Sequence, residues 1–154
     1  GLVSSVVDVT SQFIEDGLVL YQIDAKGNRH NWGVKSGGKA LDIPMVVLVN
    51  EFSASASEVF TGAIIDNDRA TVIGTTTFGK GSVTNLWPLR DGSGVNFTTA
   101  RWFTPNGSLI EGQGLTPDIV LEPLAEDEDE DLYLDRAIEI LKEELNANSQ
   151  AKNR

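Results

Sequence analysis

A serine among small residues and a lysine between two glycines are the residues of this sequence best suited to carry out chemistry together. Ser55 lies in the segment 53–57, Ser-Ala-Ser-Ala-Ser, ahead of a predicted helix, and Lys80 lies in the segment 78–81, Phe-Gly-Lys-Gly. A serine hydroxyl attacks a carbonyl at neutral pH only when a base takes its proton and N–H groups face the developing oxyanion. A helix start supplies free N–H groups, of which the Ala56 amide is the first candidate. The two segments predict a nucleophile and a base for acyl transfer.

The lysine can act as a base only in its neutral form. Complete desolvation lowers a lysine pKa by about 3 to 5 units, so a catalytic lysine has to be buried and kept away from carboxylates. The glycines on either side of Lys80 permit close approach to neighbouring backbone. We therefore expect Lys80 to be buried in the folded chain.

Each of these residues also has an ordinary structural interpretation. A serine ahead of a helix commonly caps its N-terminus, and Ser57 with the neighbouring Glu58 suits that role. A lysine between glycines is commonly an exposed loop residue. A Ser-His-Asp triad would have to use the single histidine, His30, which lies in a polar segment that we predict to be a loop.

Composition excludes several functional classes. The formal net charge of -11 and the lack of a basic cluster argue against nucleic acid and anionic membrane surfaces as partners. No apolar run approaches the roughly 20 residues of a membrane-spanning helix, so we expect a soluble chain. Without cysteine there is no disulfide, thiol nucleophile or thiolate metal site. One histidine and scattered acids show no ligand spacing, so we predict neither a metal nor a cofactor.

Apolar periodicity in the first half predicts alternating helices and strands in one domain. A helix is expected over 2–15, followed by a terminating glycine. The apolar runs 18–23 and 45–49 predict strands covered on both faces in a parallel sheet, with a loop over 24–44 between them. A helix over 56–67 and a strand over 71–74 then form a strand-helix-strand unit, which normally pairs in parallel.

The second half predicts a hairpin and a final helix. Runs 83–89 and 95–103 flank a turn at 91–94, which is typical of an antiparallel hairpin, and 118–121 is a candidate short strand. Six consecutive acids at 126–131 precede apolar residues at helical spacing. We interpret this acidic run as a solvated linker and helix entry, and we expect the chain after Asn146 to be frayed.

Several segments together resemble the tail-specific, or C-terminal processing, serine peptidases of family S41. Residues 50–58 resemble the family's nucleophile segment and residues 78–83 its lysine segment, with Ser55 and Lys80 25 residues apart as the family pattern has them. The resemblance extends over most of residues 1–122, through the segments 44–50, 91–94, 99–105 and 112–118.

This resemblance implies a fold and a domain organisation. The fold is α/β, a ClpP/crotonase-like superhelix of stacked ββα units, with an antiparallel hairpin in the second half and a C-terminal helix. Residues 1–122 would form an N-terminally truncated peptidase core, 123–131 an acidic linker, and 132–154 a C-terminal helix with a frayed tail. The peptide-binding PDZ domain that family members usually carry is expected in the full-length chain.

The resemblance also implies a mechanism and its residues. Ser55 would be the nucleophile and Lys80 the base of a Ser-Lys dyad, with the amides of Ala56 and Gly1 forming the oxyanion hole. The substrates would be unfolded or tagged polypeptides cleaved near their C-terminal tails, outside the cytoplasm in the periplasm, cell envelope or thylakoid lumen. The sequence does not determine the oligomeric state.

Two features depart from the family pattern. The family often has a glutamine four residues after the lysine, where this chain has the shorter Thr84. Thr84 and Glu58 are therefore candidates for supporting the dyad. The family's Gly-Gly motif would end at Gly1 without its preceding strand, so the isolated fragment is expected to be weakly active or inactive.

Two other classes share this fold. A non-catalytic ligand- or peptide-binding module, such as the retinoid-binding repeats that resemble this core, would have a deep apolar pocket and a lysine turned to solvent. A crotonase-like acyl-CoA enzyme would need a site for adenine and phosphates, against which the net charge of -11 argues.

Overall fold

The computed structural model of the chain describes residues 2–121 and 132–152. Gly1 and the predicted acidic linker 123–131 lie outside the described residues. The mixed α/β class, the hairpin and the C-terminal helix are confirmed. The elements in chain order are α1 (Val3–Thr10), β1 (Leu18–Asp24), β2 (Arg29–Gly33), β3 (Val46–Val49), α2 (Ala56–Asp66), β4 (Thr71–Gly74), β5 (Ser82–Pro88), β6 (Gly94–Phe103), β7 (Ile119–Val120) and α3 (Leu132–Lys152).

The strands form two sheets. A four-stranded antiparallel sheet has the order β2-β1-β6-β5, and a three-stranded parallel sheet has the order β3-β4-β7. The predicted strand-helix-strand unit is confirmed, because β3 and β4 pair in parallel on either side of α2 in the sequence. The candidate strand at 118–121 is also confirmed, since β7 pairs in parallel with β4.

Helices α2 and α3 cover opposite faces of the parallel sheet. Adjacent residues of a strand point to opposite faces. In β4, Val72 belongs to the main core with Val59 and Ile64 of α2, whereas Ile73 packs with Ile140 of α3. All five of these side chains are buried, and each one contributes about 1.5 to 3 kcal/mol relative to exposure. The parallel sheet that contains β3, the strand before Ser55, is therefore packed on both faces.

The predicted pairing of β1 is wrong. The apolar run at 18–23 was expected in a parallel sheet, but β1 pairs antiparallel with β2 and β6. The chain reverses after β1 because the Asp24 carboxylate accepts hydrogen bonds from the backbone N–H groups of Lys26 and Asn28, both at 2.8 Å. Hydrogen bonds from Asn28 also hold the pKa of Asp24 below its ordinary value. The predicted burial of β1 is confirmed, but its antiparallel pairing with β2 depends on this turn.

The expected loop over 24–44 contains a strand, β2. His30 lies on this strand, is exposed, and contacts the Trp32 ring edge-on at a centroid distance of 5.0 Å. The mostly polar residues of this segment predict a loop. Among the described strands β2 pairs only with β1, so as an edge strand it needs few apolar side chains.

The two end helices differ in length from the predictions. Helix α1 ends at Thr10 rather than at 15, because the next backbone N–H groups bond three residues back instead of four: Gln12 N–H donates to the Val9 carbonyl and Phe13 N–H to the Thr10 carbonyl, both at 3.0 Å. Helix α3 continues to Lys152, beyond the expected fraying point at Asn146. None of the helices within the described ranges is long and apolar enough to cross a membrane.

Candidate active site

Ser55 occupies a strained turn between β3 and α2. Its backbone has φ 60° and ψ −117°, a region that costs a residue with a side chain about 1 to 3 kcal/mol. Hydrogen bonds hold the residues just before this turn. Ser53 N–H donates to the Asn50 carbonyl at 2.9 Å, and Phe52 N–H donates to the Asn50 side-chain oxygen at 3.0 Å. A sharp, strained strand-to-helix turn is the backbone that exposes a nucleophilic serine in other hydrolases.

Ser55 is at the same time the N-cap of α2. The cap interpretation of the serine segment is therefore correct, but it applies to Ser55 rather than to Ser57. Glu58 is the third residue of the helix, and its carboxylate accepts a hydrogen bond from the Ser55 N–H at 2.9 Å. The candidate nucleophile Ser55 is therefore also the N-cap residue of α2.

The Glu58 side chain joins the serine turn to the lysine segment. It is fully buried, and its Oε2 accepts from both the Ser55 N–H at 2.9 Å and the Lys80 N–H at 2.8 Å. Its Oε1 accepts from the Thr77 hydroxyl at 2.7 Å and the Gly79 N–H at 2.6 Å. Because one oxygen receives both amides, the main-chain nitrogens of Ser55 and Lys80 lie within two hydrogen-bond lengths of each other.

The glycines beside Lys80 allow the backbone contacts that hold it. Gly79 has φ +86°, and a Cβ there would lie 2.9 Å from the Gly114 nitrogen. A Cβ on Gly81 would lie 2.5 Å from the Glu111 nitrogen. Gly81 N–H donates to the Glu111 carboxylate at 2.7 Å. The lysine segment 78–81 therefore packs directly against the backbone of residues 110–114.

The Lys80 side chain is exposed, which contradicts the expected burial. No hydrogen bond joins Lys80 Nζ to Ser55 Oγ among the described residues. The contacts that hold Lys80 are made by its backbone, and its side chain extends from a loop at the start of the edge strand β5. Catalytic hydrogen bonds are often long in a free enzyme and shorten only when substrate binds.

Ala56 has the free amide expected of an oxyanion donor. It is the first residue of α2, and its N–H makes no hydrogen bond to any described residue. Gly1, the second predicted donor, lies outside the described residues.

Thr84 and His30 are not joined to this centre. Thr84 is exposed on β5, and no hydrogen bond links it to Lys80 within the described chain. His30 lies on β2, at the opposite edge of the antiparallel sheet from β5, the strand that follows Lys80. This location argues against a triad that uses His30.

One residue of the centre, Thr77, is not identified by any pattern in the sequence. The buried Thr77 hydroxyl donates to Glu58 and accepts a hydrogen bond from the Leu115 N–H at 2.8 Å. It is the last of three consecutive threonines, and nothing in that run distinguishes it from its neighbours.

An apolar groove of about 460 Å³ lies beside the serine segment. It lies between α1, β3 and the start of α2, and includes Val9, Leu48, Ser53 and Ala56 in its lining. Among the described residues no group of acids and histidines could hold a metal ion.

Comparison with known proteins identifies the family. The sequence model of peptidase family S41 matches residues 1–121. The carboxy-terminal-processing protease of Bartonella bacilliformis is 42% identical over 131 residues, which cover 82% of this chain and 30% of that protein. The carboxyl-terminal-processing protease of Synechocystis is 38% identical over 122 residues, covering 79% of this chain and 28% of that protein. The chain thus spans less than a third of either relative.

A solved structure agrees with this result. The photosystem II D1 C-terminal processing protease superposes with a TM-score of 0.75 at 39% identity, covering 80% of this chain and 32% of that one. The ClpP-like class of the fold is thereby confirmed. The chain belongs to peptidase family S41.

Proposed function

We propose that this chain is the catalytic core of a serine-type endopeptidase that cleaves polypeptides near their C-terminal tails. Support comes from the names of its relatives and from the strained Ser55 turn. The observation that carries the proposal is the shared acceptor: the amides of Ser55 and Lys80 both donate to Glu58 Oε2, at 2.9 and 2.8 Å. A buried carboxylate that joins these two segments positions a nucleophile and a base together.

The proposed reaction proceeds through an acyl-enzyme. Ser55 Oγ attacks the scissile carbonyl carbon while neutral Lys80 Nζ takes the hydroxyl proton, and the oxyanion accepts hydrogen bonds from the Ala56 and Gly1 amides. The protonated lysine then donates to the leaving amine. Water attacks the ester with Lys80 again as base, which releases the new C-terminus and regenerates Ser55. The reaction requires that the Lys80 side chain move onto Ser55 when bound substrate excludes water.

The whole protein's partners and location follow the same proposal. Unfolded or tagged polypeptides are the substrates, a PDZ domain in the full-length chain delivers them, and the reaction takes place outside the cytoplasm. The core described here supplies the reacting residues.

A second candidate function is a non-catalytic binding module. The exposed Lys80 side chain and the apolar groove of about 460 Å³ beside Ser53 are the features that favour it. In that case the groove would hold an apolar ligand and Ser55 would serve only as the helix cap.

The test uses the full-length parent protein and a substrate that unfolds readily and ends in an apolar tail. Mass spectrometry after incubation with wild type, Ser55→Ala and Lys80→Ala identifies any scissile bond. Cleavage by wild type that both substitutions abolish supports the peptidase. Cleavage that survives either substitution contradicts the dyad, and a folded wild type that cleaves nothing favours the binding module.

A further inference from the structure

Two phenylalanine side chains are exposed beside the candidate dyad. Phe52 is 79% exposed and Phe78 is 64% exposed. Phe13 and Phe60, by contrast, pack against the main core. Neither Phe52 nor Phe78 contacts another aromatic ring in the described part of the chain. Exposed apolar side chains that lie together at a reactive site are typical of a binding surface.

The chain itself keeps both phenylalanines close to the reactive residues. Phe52 precedes Ser55 by three residues, and Phe78 precedes Lys80 by two. A chain spans at most about 3.6 Å per residue, so the two Cα–Cα distances are at most about 11 Å and about 7 Å. An extended substrate advances about 3.3 Å per residue. Both phenylalanines are therefore within reach of substrate residues close to the scissile bond.

Hydrogen bonds hold the two phenylalanines next to each other. Phe78 N–H donates to the carbonyl of Ser53, the residue after Phe52, at 3.0 Å. Phe52 N–H donates to the Asn50 side-chain oxygen at 3.0 Å. Their side chains are thus exposed from a backbone that is fixed on both segments. We call the surface formed by Phe52 and Phe78 the aromatic rim.

Phe78 shares the exposed side of its segment with Lys80. Thr77 and Gly79 are buried, and the Thr77 hydroxyl and the Gly79 N–H donate to Glu58. Phe78 and Lys80, which alternate with them, are exposed. An apolar group packed on Phe78 would lie on the same side of the segment as Lys80 and displace water from it.

The aromatic rim is separate from the apolar groove. The lining of the groove includes Ser53 but neither Phe52 nor Phe78. Ser53 connects the two surfaces, since its carbonyl accepts the Phe78 N–H. A polypeptide bound at Ser55 therefore has a second apolar surface available outside the groove.

We propose that the aromatic rim is a specificity subsite for one apolar side chain of the polypeptide substrate, within about three residues of the scissile bond; this inference rests on the proposed peptidase function. Burial of that side chain against Phe52 and Phe78 removes apolar area of both partners from water. It also covers Lys80, and closing a site to water strengthens the electrostatic interactions inside it. The rim thus couples the choice of substrate to the exclusion of water from Lys80.

Peptide kinetics on the full-length protein test this subsite. One leucine is placed in turn at each of the three positions on either side of the cleaved bond of a soluble, alanine-rich peptide. At one position leucine should raise kcat/KM about 10-fold over alanine, because methylenes buried in an apolar site carry factors of that size. The same gain should fall to about twofold or less in Phe52→Ala and in Phe78→Ala. Gains at other positions, where leucine enters the groove, should be unchanged in both variants.

Phe97→Ala is the matched control. Phe97 is 44% exposed and lies on β6 in the hairpin, opposite Asn85. This variant should keep the leucine gain at every position. No gain at any position, a gain that survives in both rim variants, or one that Phe97→Ala removes equally overturns the subsite. Cleavage that Ser55→Ala still abolishes shows in each of these cases that the peptidase proposal stands.

The separate kinetic constants test the exclusion of water. Lys80 is covered only while substrate is bound, so Phe78→Ala should lower kcat for the leucine peptide as well as raise KM. A loss confined to KM overturns this part of the proposal.

Hydroxyl-radical footprinting gives a readout that does not need cleavage. In the full-length Ser55→Ala protein the leucine peptide should reduce oxidation of Phe52 and Phe78 and leave oxidation of Phe97 unchanged. No reduction on addition of the peptide overturns the proposal. Oxidation of both rim residues that is already low without peptide overturns it too, because another part of the parent chain would then cover the rim.

Discussion

Glu58 receives four hydrogen bonds at the point where the serine and lysine segments meet. Two come to each carboxylate oxygen, and three of the four donors are backbone N–H groups. A carboxylate has only acceptors, so every donor in this buried place finds a partner. Ser55 and Lys80 are consequently positioned through their main chains before any contact between their side chains.

We predict that Glu58→Gln lowers both stability and activity. The amide side chain keeps the shape but presents an NH₂ group to two of the four donors, which leaves buried N–H groups unpaired. The free energy of unfolding should fall by about 2 to 4 kcal/mol. Because a misplacement of about 1 Å can cost 100-fold, kcat should fall by about that factor while KM changes little. Denaturant unfolding and peptide kinetics on the full-length protein measure the two effects.

The matched control is Glu51→Gln. Glu51 is exposed and accepts one hydrogen bond, from the Thr75 hydroxyl at 3.2 Å. Its variant should change stability by less than about 0.5 kcal/mol. Equal behaviour of the two glutamine variants would mean that Glu58 does not position the proposed Ser55–Lys80 dyad.

At the scale of elements, the lysine loop depends on close backbone packing. Gly79 and Gly92 have the same φ of +86°, but a Cβ on Gly79 would lie 2.9 Å from the Gly114 nitrogen, whereas a Cβ on Gly92 would have no atom within 4 Å. Alanine at either position carries the strain of a positive φ, about 1 to 2 kcal/mol. Only alanine at position 79 also forces two segments apart.

We therefore expect Gly79→Ala to be destabilised by about 1 to 3 kcal/mol more than Gly92→Ala. The Gly79 variant should also lose peptidase activity, since the shift moves Lys80, whereas the Gly92 variant should keep it. Thermal or denaturant unfolding and cleavage rates provide the comparison. Similar losses in both variants would show that φ strain alone accounts for the effect.

On the scale of the whole molecule, the parallel sheet is layered between α2 and α3. The smaller cluster contains Ile73, Ala137 and Ile140, with Tyr133 packed against it. Through this cluster α3 covers the sheet face opposite α2, the helix that Ser55 precedes as N-cap. The C-terminal helix is in this way part of the support of the site.

Replacing Ile140 by alanine tests this support. Ile140 is 9% exposed and Ile138 is 38% exposed on the same helix. Ile140→Ala should cost about 2 to 4 kcal/mol of unfolding free energy, because it opens a cavity against the sheet. Ile138→Ala should cost less than about 1 kcal/mol. Denaturant unfolding of both variants gives the difference, and equal costs would mean that α3 is not docked on the core.

Local patterns in the sequence determined much of this protein. The apolar runs predicted the positions of β3, β4 and α2, because apolar composition and side-chain period are local properties of the sequence. The residue types around Ser55 and Lys80 pointed to acyl transfer, and the resemblance to the S41 family agreed with the later comparison. These signals need only neighbouring residues to be read.

Other features were decided only by the tertiary structure. The antiparallel pairing of β1, the exposure of the Lys80 side chain and the convergence of four donors on Glu58 depend on residues distant in the sequence. A strand buried on both faces has the same composition in either direction, and a threonine or glutamate shows its role only when its partners fold beside it. The three-dimensional path of the chain brings those partners together, and no short stretch of sequence specifies that path.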